Sequence, residues 1–313
     1  MAAPIVTLTM NPAIDVSADA QNIRPNHKIR TSHERIEPGG GGINVAASVR
    51  HLGGESHAVF LSGGVVGRYL EELLDHRGQT YHNVRIEGRT RLSTSYIDRV
   101  QGCEFRFVSE GPLVSEAEWG EALRLVEGLD WQWLVGSGSL PPGVPADFYR
   151  LLAQMAVRRG GKFVVDSSGV ALSAALGPGV VLIKPSLTEL QNLIGRELVT
   201  RAEQVRAARD LVQAGKAEIV ALTLGAEGAI VVSREEAMFM PAIQVMVRST
   251  VGTGDGFAGA MVWSLARGNR LDEALRWAGA VSAEIAASDR IVCESRERVM
   301  QYFEGTLGQV VGL

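Results

Sequence analysis

The sequence predicts an α/β protein folded around a mostly parallel sheet. Short apolar runs of strand length alternate with stretches of helical period along most of the chain, which is how βαβ units are written. Glycine- or proline-bearing turns follow several of those runs, where the carboxyl ends of parallel strands line a ligand crevice. With 313 residues, 46% hydrophobic and 21% charged, the chain can bury a large core. No internal repeat or low-complexity linker divides it, so residues 1–313 are expected to form one domain with a small β appendage.

Ile5 to Met10 reads as a buried strand that Asn11-Pro12 stops, since proline offers no amide to a ladder. Residues 13–37 are more polar. The glycines of 39–42 lead into a helix whose positions 45, 46, 49 and 52 share an apolar face, and Gly53-Gly54 ends it. A strand at His57 to Leu61 and a helix at Gly67 to His76 follow. Between 91 and 109 the period changes to two, with Cys103, Phe105 and Phe107 on one face, Glu104, Arg106 and Val108 on the other, and a turn at Gln101-Gly102. This hairpin and segment 13–37 are the expected appendage. Alternation then resumes. Strands are expected at Trp133 to Gly136, Phe163 to Asp166, Val180 to Ile183 and Ile219 to Leu224, with helices near 146–158, 187–194 and 201–214. Ala229 to Val232 and Met238 to Met240 read as a hairpin, and helices close the chain from about 255.

The net charge of −4, with basic residues scattered, offers no footprint for nucleic acid or an anionic membrane. No run approaches the ~18 apolar residues of a membrane helix. Two cysteines far apart, Cys103 and Cys293, fit a reducing compartment, and the cytoplasm is the expected location. The histidines show no metal-ligand spacing, and neither G-x-x-x-x-G-K-[ST] nor G-x-S-x-G occurs.

The segment Ser249 to Ala260 is a glycine-punctuated turn running into an apolar helix. Amides at such a helix start can point at an anion, and Asp255 beside them could take a proton from an attacking hydroxyl; a simple Asp cap reads equally well. Gly39, Gly40 and Asn44 suit close approach of a polyol as well as a structural loop. Ser139 sits in a Gly-Ser-Leu-Pro-Pro-Gly turn after a strand, and Lys184, Ser186 and Glu189 follow another, as phosphate and magnesium ligands or as ordinary surface charge around a helix cap. Lys28, Arg30 and Arg91 in the appendage form a candidate phosphate clamp or solvated charge. Asp15 is either a turn residue or an acceptor of sugar hydroxyl protons.

Taken in order, Asn11-Pro12-Ala13-Ile14-Asp15, the Gly39 to Asn44 loop, Gly138 to Gly143, Lys184-Pro185 with Glu189, Thr223 with Gly225, and Gly252-Thr253-Gly254-Asp255 resemble the ribokinase-type (PfkB) carbohydrate kinases over nearly the whole chain. The resemblance implies a three-layer α/β/α sandwich with a nine-or-so-stranded sheet, and a β lid made from about 13–37 and 91–109 that often pairs two subunits into a homodimer. It implies Asp255 as the base and Gly252, Thr253 and Gly254 as the anion hole. ATP and Mg2+ would be held by Lys184, Ser186, Thr223, Gly225 and Ser249, with Glu189 toward the metal. The sugar would lie against Asp15, Gly39, Gly40, Asn44 and Ser139, and its phosphate against Lys28, Arg30 and Arg91. The expected acceptor is fructose 6-phosphate, ahead of tagatose 6-phosphate and fructose 1-phosphate; a non-catalytic sugar-phosphate sensor is the alternative of another class. The chain departs from the family pattern twice: Ser186 replaces asparagine in the metal-linked motif, and Asp289-Arg290-Ile291 replaces a glycine-containing stretch near the adenine site.

Overall fold

The structure, a computed structural model, describes residues 4–313. In chain order its strands are β1 (Ile5–Thr9), β2 (Ala13–Ala20), β3 (Thr31–Gly39), β4 (Ser56–Ser62), β5 (Tyr81–Arg85), β6 (Arg91–Asp98), β7 (Cys103–Val108), β8 (Trp133–Ser137), β9 (Lys162–Asp166), β10 (Val180–Ile183), β11 (Ile219–Thr223), β12 (Gly228–Val232), β13 (Ala237–Pro241) and β14 (Val311–Gly312). The helices are α1 (Gly41–His51), α2 (Gly64–His76), α3 (Glu116–Gly128), α4 (Phe148–Arg159), α5 (Gly169–Ala175), α6 (Leu187–Ile194), α7 (Arg201–Gln213), α8 (Thr253–Ala266), α9 (Leu271–Ala286) and α10 (Arg296–Gly305).

A ten-stranded sheet runs in the order β14-β13-β12-β11-β10-β9-β8-β1-β4-β5. It is parallel from β5 to β11 and antiparallel beyond. Its central strands are apolar on both faces because both are covered. Leu134, Phe163, Val165, Val220 and Leu222 pack into one core with α3 to α7. Their neighbours Val135, Val164 and Ala221 pack into a second core with α1, α8 and α9. The chain leaves β1 for β4 on one side and later returns to β8 on the other. Strand order therefore reverses at β1, and the crevice at the carboxyl ends of β1 and β8 is where such sheets bind ligands.

The second sheet has four strands in the order β3-β2-β6-β7. Asp15, Ser17, Arg35, Glu37, Ser93, Ser95, Glu104 and Arg106 all line one cleft beneath it. The opposite face carries Ile36, Leu92 and Phe107, which are 36%, 45% and 60% exposed. Near its root Ile14 packs on Leu70 and Leu74 of α2. Among the described residues no helix is long and apolar enough to cross a membrane.

Four elements escape the sequence reading. α3 begins with a capping box in which Ser115 and Glu118 satisfy each other's amides, a Ser-x-x-Glu signature present in the chain. β5 is short and largely polar, and α5, at seven residues, is too short to show a helical period. The chain also does not close on helices alone, since β14 pairs antiparallel with β13 at Met238 and Phe239.

Candidate active site

The cap of α8 is built for an anion. Gly252 has φ 78°, and a Cβ there would run into the carbonyl of Ile291, so only glycine fits. Of the first-turn amides that follow, Thr253 makes only a long 3.4 Å bond to the Thr250 carbonyl and Gly254 and Asp255 have no backbone acceptor, and the helix dipole makes that end electropositive. Asp255 stands in the same turn. Asn44, buried on α1, donates from Nδ2 to Asp255 Oδ2 at 2.8 Å. Burial and the charge of Asp166 push the Asp255 carboxyl up to about 7, against the opposing pull of Asn44 and Lys184. A carboxylate near neutrality is suited to exchanging a proton at working pH.

Lys184, at the end of β10, sends Nζ to within 3.1 Å of Asp166 Oδ1 at the end of β9, and both side chains are nearly buried. Burial works against the ammonium, but Asp166, Asp255 and Glu189 overcome it and hold Lys184 protonated. A Cβ on Gly254 would lie 3.3 Å from Lys184 Nζ, so the lysine reaches the anion hole itself. Thr223 donates its amide to the carbonyl of Pro185 at 3.0 Å, tying the end of β11 to the same strand edge. Gly225 opens a short 3-10 turn just beyond, with φ 59°. Ser186 caps α6: its amide donates to Glu189 Oε2 at 2.7 Å and its Oγ accepts from the Glu189 amide at 3.3 Å. The serine that departs from the family motif therefore has a structural use here.

On the other side of Asp255, β3 ends at Gly39 and α1 begins after Gly40, whose φ is 132°. A side chain on Gly39 would strike the Asp15 carboxyl, which lies directly over it. Burial raises the Asp15 carboxyl, while a hydrogen bond from Ser93 and the charges of Arg106 and Arg91 oppose the rise. Ser139 accepts from Asn11 Nδ2 at 3.2 Å. Thus Asp15, Gly39, Gly40, Asn44 and Asp255 meet along one crevice.

Within one chain the three cations expected as a clamp lie apart. Arg91 spends Nη1 on the carbonyl of Ser109 (2.6 Å) and Nη2 on that of Asn11 (2.9 Å), at the root of the small sheet. Lys28 and Arg30 lie exposed in the connection between β2 and β3. Asp15 pairs with Glu37, whereas Arg30 precedes Thr31 at the far end of β3. At the rise of an extended strand that separation is about 20 Å, longer than a side chain spans. The cations that line the cleft with Asp15 are instead Arg35, Arg106 and Arg248. Arg106 was legible as the polar-face member of the 103–108 alternation. Arg35 and Arg248 carry no local signal. Ser249, expected with the nucleotide residues, lines this same cleft. Asp166, the partner of Lys184, could have been found by the strand-end argument applied to Lys184.

An electropositive helix start, an acid poised near neutrality and a buried lysine at the carboxyl edge of a parallel sheet define a phosphoryl-transfer crevice. The particular family follows from comparison: residues 3–290 match the pfkB family carbohydrate kinase model, and the chain belongs to that family. It is 37% identical over 302 residues to ATP-dependent 6-phosphofructokinase isozyme 2 of Mycobacterium tuberculosis, covering 96% of this chain and 89% of that protein. To the protein of the same name from Escherichia coli it is 38% identical over 275 residues, 87% of this chain and 89% of the relative. The crystal structure of Escherichia coli phosphofructokinase-2 in complex with fructose-6-phosphate matches with a TM-score of 0.90 at 35% identity, covering 97% of this chain and 99% of that one.

Proposed function

We propose that the protein transfers the γ-phosphoryl group of ATP to the C1 hydroxyl of fructose 6-phosphate, giving fructose 1,6-bisphosphate and ADP. The carrying observation is Asp255: an acid with its carboxyl near 7, in the first turn of a glycine-capped helix, oriented by Asn44. Asp255 takes the hydroxyl proton as the sugar oxygen bonds to the γ-phosphorus. The bond from that phosphorus to the bridging oxygen breaks, and ADP leaves. The amides of Thr253 to Asp255 and the Lys184 ammonium face the charge spread over the phosphoryl oxygens. Asp15 and Asn44 orient the sugar hydroxyls over Gly39 and Gly40, with Ser139 beside them. Thr223 and Gly225 border the nucleotide.

Mg2+ would accompany the nucleotide and neutralise its phosphate charge. Among the described residues no three His, Cys, Asp or Glu converge as ligands, which suits an ion that keeps its waters and takes one or two carboxylates plus substrate phosphates. Glu189, whose charge is felt at Lys184 and Asp166, would be the residue that holds it.

The phosphate already on the sugar is met by Arg106, which has no ion-pair partner among the described residues and opposes Asp15 across the cleft. Lys28 and Arg30, too distant within their own chain, would serve the site of a second copy in a homodimer joined through the small sheets, whose outer faces carry Ile36, Leu92 and Phe107. The test is ADP release from Mg-ATP with a panel of hexoses and hexose phosphates. Fructose 6-phosphate should exceed tagatose 6-phosphate and fructose 1-phosphate. Equal turnover of unphosphorylated fructose would remove the case for a phosphate clamp, and no turnover of any sugar would favour a sensor.

A further inference from the structure

Residues 289–291, where the chain departs from the small-residue pattern of its family, form a bridge between the small sheet and the anion hole. Asp289 accepts from Arg248 Nη1 at 2.9 Å and faces Arg35 Nη1 at 4.0 Å. Arg290 places Nη1 3.5 Å from Glu37 Oε1 and Nε 3.3 Å from Glu294. Arg35 and Glu37 stand two residues apart on β3, on the face that lines the cleft. Adjacent residues of opposite charge in the bridge thus meet residues of opposite charge on the strand. Glu37 is buried and has Arg77 as its other partner at 2.9 Å.

The same short segment is fixed to the catalytic frame. The Ile291 carbonyl occupies the space that a side chain on Gly252 would need. Ile291 and Val292 pack on Ala47 of α1, the helix that carries Asn44. Upstream, the carbonyl of Ala286 accepts the Arg248 amide at 2.8 Å. Downstream, the fully buried Cys293 packs into the core formed with α8 and α9. A segment anchored at both ends, with Glu37 and Arg35 on one flank and Gly252 on the other, cannot shift at one without moving the other.

We propose that Asp289 and Arg290 are positioning residues that couple the placement of the small sheet to the anion hole, so that filling the sugar side changes affinity on the nucleotide side. The proposal rests on the assignment of the two sides made above. Half-exposed ion pairs add little to stability; their value here is geometric, because the two pairs have opposite polarity and tolerate only one register of β3 against the bridge. Neither residue touches a reacting atom.

The test is calorimetric titration of a non-hydrolysable ATP analogue with Mg2+, with and without saturating sugar phosphate, on wild type and on Asp289→Asn/Arg290→Met. In wild type the sugar phosphate should change the analogue's Kd by about five-fold or more, and the analogue should change the sugar's Kd by the same factor. In the double variant that factor should fall to within about two-fold of one, with the analogue alone bound nearly as in wild type. Arg290→Lys, which keeps the charge, should recover part of the factor. A wild-type factor of one, an unchanged factor in the variant, or a parallel loss of both affinities would each overturn the proposal. Melting temperatures identify a variant that fails to fold, in which case Arg290→Lys and Asp289→Asn alone carry the comparison. The sugar phosphate used is whichever one wild type phosphorylates, so a wrong acceptor assignment shows in the panel and leaves this outcome readable.

Discussion

The two sheets of this protein spend their residues in opposite ways. The central strands of the ten-stranded sheet are apolar on both faces and locked between helices, so the groups at their carboxyl edge, Lys184 and Asp166 among them, are held in one place by packing. The four-stranded sheet turns a polar face inward, leaves Phe107 60% exposed outward, and is steadied against the body by ion pairs at Glu37 and Arg35. In the function proposed above, chemistry that demands fixed geometry falls to the first, and recognition that requires substrate to enter and leave falls to the second.

The comparison breaks most sharply at Asp255. Asp255→Asn should lower kcat by about two to four orders of magnitude, the range for losing a general base, with little change in KM. In wild type, kcat should fall as pH drops through about 7, because the ionised carboxylate is the working form. Stability should move the other way. The native carboxyl holds its proton more tightly than the unfolded chain does, so its stabilising contribution is full below the ordinary value of 3.8 and is lost as pH rises through about 7. Thermal melts across that range should show the decline in wild type and its absence in Asp255→Asn.

Lys184→Met should come next, leaving Asp166 buried without its cation. Removing one partner of a buried pair costs about 3–5 kcal/mol, and denaturant melts should show it along with weakened ATP binding. On the small sheet, Arg106→Ala should weaken sugar phosphate by about 1.5–3 kcal/mol, the value of a charge-assisted contact, without altering ATP affinity or melting temperature. If Arg106→Ala instead unfolds the protein, the division between a packed chemical edge and a tolerant recognition face is wrong. The smallest effect is expected at Phe107→Asp. It should leave the fold intact and shift light-scattering mass toward monomer on dilution, and a wild type that is monomeric and fully active would exclude assembly through this face.

The core strands and the Gly252-Thr253-Gly254-Asp255 turn were legible because their signal is local: a run of apolar residues, a glycine that only a left-handed cap explains. Lys184 was legible for the same reason, by its place after a strand. The clamp was not. Lys28, Arg30 and Arg91 share an appendage in sequence, yet the antiparallel register of β2 and β3 carries Arg30 to the end opposite Asp15. Arg248 comes from a loop outside the appendage altogether, and no spacing announces that a tertiary fold will lay it beside Arg35. α3 shows a third kind of omission, a helix start marked by Ser115 and Glu118 that a search for apolar period alone passes over.

The two thiols differ as the two sheets do. Cys293 is buried, and burial with the charge of Glu284 pushes its thiol up to about 12, while Cys103 is exposed at the start of β7. Alkylating reagents attack the accessible thiolate, so a maleimide fluorophore added to the unaltered chain should label the small sheet at a single position. The natural sequence thereby supplies an optical reporter on the one part of the molecule whose displacement during turnover is in question.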